Sequence, residues 1–415
     1  MSAQGRPLIA VTGVGVIAPT GASERAFAAG LATSRSAVVR GEDGFLTAPV
    51  GDFEPRRFIQ AASLRRLPRL VQMTIVAARH ALCDAARVDL GPPGSPLPDA
   101  ARAPAAALGL DLDRVGVILG TGLGTFEQTM EFLNGYIDGG PEAASPLLFP
   151  TSVMNAAAGL LAVDCAVRGV NSTINHKDAS PLLALGMAID QLSLGRADAI
   201  LAGAIDELCP STLEGYRLLG GLATDAMRPY DRAHGGLALG ESAALLVLER
   251  LDDARARGRR VRAILGPRAE TSEGRPRVGW GEGLAGAEAV RAVAEAAETT
   301  ADLDWIAGGG NGTRLDDMEL GACARAFQAL GRPLPPVSSI LSQTGESAAS
   351  AMLRVCAAVV ACEEGLVPGT LGLEQAIDGY DAAIVRAPRR QPVRAALVPS
   401  FAQGGANAAL VVRRA

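Results

Sequence analysis

The residues with the most chemical promise lie in one run, STINHKDASPLLALG, residues 172–186. A strand-like stretch ends at Ile174. A polar turn follows, Asn175-His176-Lys177-Asp178. An apolar-periodic helix then carries Leu182, Leu183, Leu185, Met187, Ala188 and Leu192. A strand–turn–helix unit can present a nucleophile, because a helix N-terminus stabilises an anion placed ahead of it. Here the turn offers Asp178, a poor nucleophile for acyl transfer. Two roles suit it. It can cap the helix, with a carboxylate accepting a backbone N–H and Pro181 compatible with the first turn. Alternatively, with His176 two residues away, it can act as a general acid or base.

Other reactive groups are sparse. The six cysteines, Cys83, Cys165, Cys209, Cys323, Cys356 and Cys362, form no CxxC pair, and most sit in apolar helical runs. They read as buried thiols in a reducing compartment. Three histidines make a His-based metal cage unsuitable, so no metal site is expected. Gly13 and Gly15 follow a buried strand in PLIAVTGVGVIAPTG and invite a dinucleotide-binding reading. The third glycine and the later acidic residue of that motif are missing.

The elements that must position these residues follow from patterning. The chain has 415 residues, 48% of them hydrophobic, enough for a large core of two or three domains or two fused halves. A net charge of −5 argues against a nucleic-acid surface. Lys177 is the one lysine against 38 arginines, which reads as codon bias. The N-terminal residues lack a signal-peptide layout, and no apolar run reaches membrane-spanning length. A soluble, cytoplasmic protein without membrane contacts is expected. Strand and helix patterns alternate along the chain, as in ADAILAGAID (197–206) after a helix and LDWIAGGGNGT before one. That rhythm indicates βα units and buried sheets. The charged run 250–260 looks like a junction, which divides the chain into halves 1–255 and 256–415.

Four ordered segments carry a family resemblance. VTGVGVIAPTG, RPYDRAHGGLALGESAALLVLE (228–249), VSSILSQTGESAASA and SFAQGGANAALVV (400–412) resemble segments of the β-ketoacyl synthases of the thiolase superfamily. The resemblance implies a thiolase-type five-layer αβαβα sandwich built from two similar halves. It implies no cofactor, and substrates carried as phosphopantetheine thioesters on acyl carrier protein. The family condenses acyl units with a cysteine, two histidines and a supporting lysine. Matched residue by residue, Asp178 falls on the cysteine, and Gly309 or, in a shifted match, Asn311 on the first histidine. Glu346 falls on the second histidine and Leu341 on the lysine. Gln403 replaces the aromatic of the family's GFGG turn.

The character closest to this pattern is the non-condensing chain length factor, or ketosynthase β, of type II polyketide synthases. Such a subunit pairs as a heterodimer with a catalytic ketosynthase; a homodimer is the other assembly. The alternative is a repurposed enzyme using Asp178, Glu346 and His176 on an acyl thioester. Phe126, Thr129, Met130 and Leu133 share one face of the helix after GTGLGT. They form either a core stripe or, as the resemblance implies, the far end of a substrate tunnel at the subunit interface.

Overall fold

Ten strands, counted among the described residues, form one sheet: β1 (Ile9–Ile17), β2 (Val115–Gly120), β3 (Asn171–Ile174), β4 (Ala199–Asp206), β5 (Ser242–Arg250), β6 (Ala263–Ser272), β7 (Leu303–Gly308), β8 (Val337–Ser339), β9 (Ala395–Phe401) and β10 (Ala406–Arg414). Seven helices matter below: α1 (Arg69–Ala86), α2 (Phe126–Gly139), α3 (Ser180–Ser193), α4 (Pro210–Leu218), α5 (Ala287–Glu298), α6 (Leu315–Ala329) and α7 (Ser350–Glu364). The structure is a computed structural model and describes residues 7–51, 53–103, 105–274 and 286–415.

The strand order is β8-β7-β9-β10-β6-β1-β5-β4-β2-β3, and it contains a repeat. Outward from the middle, the first set runs β1-β5-β4-β2-β3 and the second β6-β10-β9-β7-β8. Directions repeat too. β2 is parallel to β3 and β4, and β5 antiparallel to β4 and β1. Likewise β7 is parallel to β8 and β9, and β10 antiparallel to β9 and β6. The two sets meet along a short antiparallel seam, Ile9–Val11 against Leu265–Ala263. Beside the seam, buried Arg262 pairs with Glu24, Asp84 and Glu363.

Successive side chains of a strand point to opposite faces, so each half-sheet has two faces to bury. One face of each half looks inward. Ile118, Ala202 and Leu246 of the first set, and Ala307, Val398 and Leu410 of the second, share a core with Leu185 of α3 and Val355 of α7. The outer face of the first set packs Val117, Leu201 and Leu245 with residues of α1. That of the second packs Ile306, Leu397 and Val411 with residues of α5 and α6. The layers are therefore helix, sheet, helix, sheet, helix, the five-layer sandwich expected.

Gly13 and Gly15 lie inside β1, not in a turn after it. A Cβ on Gly13 would stand 2.1 Å from the carbonyl oxygen of Ala81, and one on Gly15 1.9 Å from that of Ala77. Their role is to let α1 lie directly on the strand.

Candidate active site

The site is built where the chain approaches the two central helices. After β3 it turns through residues 175–179 before α3 begins at Ser180. Asn175 Nδ2 donates to the Gly122 carbonyl at 2.6 Å, which ties the turn to the end of β2. Lys177 takes a left-handed φ of 51°. Ser180 Oγ accepts the His176 N–H at 2.8 Å and lies 2.6 Å from the Lys177 carbonyl, so a serine closes the turn. Ala179 holds the cap position, and no side chain caps the helix. This corrects the expectation that the Asp178 carboxylate caps α3. That carboxyl takes its own backbone N–H instead. Ser400 Oγ donates to the main-chain oxygen of Asp178 at 2.6 Å.

Glu346 stands in a similar place ahead of α7. Gly345 makes the preceding turn with φ 70°. The Glu346 N–H donates to the Ala238 carbonyl at 2.7 Å, and its own carbonyl accepts the Gly240 N–H at 2.8 Å. Asp178 and Glu346 line one cavity of about 380 Å³, with Tyr216, Gly309, Asn311 and Arg354. A smaller cavity of about 70 Å³ shares Asp178, Glu346 and Tyr216 and adds Phe126, Lys177 and Cys209.

Burial sets the charges here. It pushes the Asp178 carboxyl up to about 6, against the opposing pull of Lys177 and Arg354. Burial, then the Asp178 charge, push Glu346 well above the carboxylate range, against Arg354 and a hydrogen bond from the Asn311 side chain. Burial and the same carboxylates keep the Tyr216 phenol protonated. Nearby, burial pushes Asp206 up to about 6, although Gly122 N and Thr121 Oγ1 each donate to it at 3.0 Å.

Sequence reasoning passed over Arg354, which is 4% exposed. Its Nη1 donates to the carbonyls of Ala307 at 3.1 Å and Pro399 at 2.5 Å, and its Nε has no partner. A Cβ on Gly309 would lie 3.1 Å from its guanidinium carbon and 3.0 Å from Glu319 Oε2. Glu319 Oε1 in turn accepts from Gly309 N at 2.8 Å and from the Tyr230 hydroxyl at 2.6 Å. The available signal was a lone charge in the otherwise apolar run SAMLRVCAAVVAC.

The remaining candidates divide. Gly309 and Asn311 both line the cavity, and Gln403 stands exposed on its wall. Leu341 is buried in the core shared by α3 and α7. His176 is exposed and lines neither cavity. No residue of α2 is buried, so the core-stripe reading of its apolar face fails. Phe126 lines the small cavity; Thr129 Oγ1 donates to the Ser152 carbonyl at 2.8 Å. Met130 and Leu133 line neither cavity, and Leu133 is exposed.

All six cysteines are free and buried. Cys209 alone of them lines the small cavity, with Sγ 2.9 Å from Thr212 Oγ1, and burial raises its thiol. Among the described residues, no cluster of His, Cys, Asp or Glu is arranged to hold a metal, and no helix is long and apolar enough to cross a membrane. Chemically, two carboxyls with raised proton affinity in a shared cavity can hold and pass a proton. They do not supply a thiolate.

Residues 7–254 match the family model described as "Beta-ketoacyl synthase, N-terminal domain", and residues 272–374 match "Beta-ketoacyl synthase, C-terminal domain". The 3-oxoacyl-(acyl-carrier-protein) synthase 2 of Rhizobium meliloti (strain 1021) is 30% identical over 323 residues, 72% of this chain and 74% of that protein. The "Putative polyketide beta-ketoacyl synthase 1" of Streptomyces virginiae is 29% identical, over 98% of both chains. Among solved structures, "The ishigamide ketosynthase/chain length factor" superposes with a TM-score of 0.84 at 25% identity, over 99% of this chain and 100% of that one.

Proposed function

Because the chain belongs to the β-ketoacyl synthase family, we propose that it is a non-condensing partner subunit, a chain length factor, working beside a catalytic ketosynthase. The pair would elongate a polyketide or polyene carried as a phosphopantetheine thioester on acyl carrier protein. This chain would shape the tunnel and contribute no nucleophile.

The observation that carries the reading is the joint exchange of reactive groups. In the match to the family's segments, Asp178 falls on the cysteine, Gly309 or Asn311 on the first histidine, Glu346 on the second and Leu341 on the lysine. Decarboxylative condensation needs a thiolate and donors for the charge that develops. An ionised Asp178 carboxyl would repel that charge, and neither Asp178 nor Glu346 supplies a thiolate. Arg354 and Glu319 fill the space that a side chain at Gly309 would need.

The surface around α2 supports a partner. Tyr136, Ile137, Leu147, Phe149 and Met154 are exposed there, and an exposed apolar patch of this kind marks an interaction face. The purified chain, mixed with acyl- and malonyl-loaded carrier protein, should form no β-ketoacyl product. The same mixture should become productive with a co-purified ketosynthase. Sustained product from the chain alone overturns the reading.

A second reading, a repurposed acid–base enzyme acting on an acyl thioester, is favoured by the Asp178 carboxyl at about 6. It loses His176, which is exposed and lines neither cavity. Asp178→Asn discriminates: a folded complex that loses all pathway activity supports the enzyme, and one that keeps most of it supports the scaffold.

A further inference from the structure

We propose that the face formed by α2 and residues 141–154 docks a non-identical chain whose facing surface is apolar with a basic rim, and that its acids turn away a second copy of this chain. The proposal rests on the partner-subunit reading above and names the surface chemistry of that partner.

The face is apolar and uncovered. α2 runs for 14 residues without one buried side chain. A helix of that length is marginal unless its apolar side packs against something. Residues 141–154 fold along part of it, with the Phe132 and Phe149 rings 5.8 Å apart and Thr129 Oγ1 bonded to the Ser152 carbonyl. Ile137 nevertheless stays 73% exposed and Leu147 85%. The charge here has one sign. From residue 115 to residue 167 the chain carries Glu127, Glu131, Asp138, Glu142 and Asp164, and no lysine, arginine or histidine. Asp164 is paired with Arg79. Glu131, Asp138 and Glu142 are exposed, and among the described residues no base pairs with them. α4 packs beside α2 and brings one base, Arg217, whose Nε donates to Glu214 at 2.6 Å. Lys177 lines the small cavity with Phe126, at the opposite end of α2 from Asp138.

A two-fold pair of identical chains presents the same patch from both sides of its interface. Every such pairing of this face brings its acids towards one another, with no base of the same segment to separate them. Like charges set across an interface suppress that pairing. A different chain escapes the penalty where arginines or lysines meet Glu131, Asp138 and Glu142. Complementary potentials then speed encounter and fix register, while the apolar centre supplies the burial.

The probe is the full chain with its rim reversed by Glu131→Lys, Asp138→Lys and Glu142→Lys. All three positions are exposed, so the variant should keep the fold. Sedimentation velocity compares the unmodified chain alone with an equimolar mixture of the two. At low salt the mixed pair should form about ten-fold more tightly than the unmodified pair, which is about 1.4 kcal/mol. Salt of about 1 M should weaken the mixed pair and strengthen the unmodified one, because it screens attraction and repulsion alike. Ile137→Ser should abolish the mixed pair, which places it on this face. A mixture that associates no more tightly than the unmodified chain alone, or a mixed pair indifferent to Ile137→Ser, overturns the proposal. The proposed ketosynthase partner gives a second arm, and its affinity for the reversed copy should fall about ten-fold. Failure of that ketosynthase to bind the unmodified chain overturns the partner-subunit reading, while the mixed pair still decides the charge chemistry of the face.

Discussion

Arg354 occupies the space beside Gly309: a Cβ built on that glycine lies 3.1 Å from the guanidinium carbon. The two residues are therefore coupled. Introducing a histidine with Gly309→His should destabilise the chain by about 1–3 kcal/mol, because the new ring must displace a buried, hydrogen-bonded arginine. Adding Arg354→Ala should cost less than the sum of the single changes, a deviation readable in a double-mutant cycle from urea denaturation. The triple change Asp178→Cys, Gly309→His and Glu346→His should not restore condensation while Arg354 remains. Product formation from acyl- and malonyl-loaded carrier protein checks this.

The acids of the site make stability depend on pH. Asp178 and Asp206 are raised from 3.8 to about 6 by burial. Between about pH 4 and 6 the native state holds protons that the unfolded chain has released. Their contribution is therefore fully present below about pH 4 and is lost as pH rises through about 6. Asp178→Asn removes one buried charge. It should stabilise the protein by up to about 3 kcal/mol at pH 7.5 and by well under about 1 kcal/mol near pH 4. Urea midpoints of both proteins at the two pH values measure the difference.

The glycines of β1 should act through packing alone. Gly15→Ala puts a methyl 1.9 Å from the Ala77 carbonyl oxygen, backbone against backbone, where no rotamer can relieve the clash. A loss of about 3 kcal/mol or more is expected, or failure to fold. Thermal melts check it, and a dinucleotide should not protect the unmodified chain.

The surface of α2 separates association from stability. Ile137→Asp changes a side chain that is 73% exposed. The isolated chain's stability should move by no more than about 0.5 kcal/mol. Co-purification with the proposed ketosynthase partner should be lost. Phe126→Ala, which enlarges the small cavity, should instead shift the product of the reconstituted pair towards longer chains. A fall in yield at unchanged length would count against the tunnel role of Phe126.

Much of the scaffold was legible because burial leaves a periodic trace. Nine of the ten strands of the main sheet were legible at least in part, most of them as short apolar runs. The tenth, β9, carries Pro399 within AALVPSF, and β6 was legible only up to its own Pro267, since proline argues against a central strand. The GxG motif was legible as a strand end but not as a packing device, because the partner helix lies some sixty residues further on. At the site, the turn around Asp178 was readable, but the capping geometry was not. Which of Asp178, Ala179 and Ser180 closes the turn depends on the positive φ of Lys177. Arg354 was hidden for a different reason. Its meaning depends on Gly309, 45 residues earlier, and periodicity within one helix carries no trace of that contact.

The repeated strand order has a further consequence. Asp178 and Glu346 sit in matching turns, ahead of the matching helices α3 and α7. Neither Asp178 nor Glu346 belongs to the interlocked apolar core, which takes Leu182 from one element and Ala349 and Ala351 from the other. The molecule thus keeps its architecture in one set of residues and its reactivity in another, and the second can be rewritten while the first is inherited unchanged. A duplicated scaffold of this kind lets one gene copy lose an ancestral reaction, keep its docking surface, and acquire a new task without passing through an unfolded intermediate in its history.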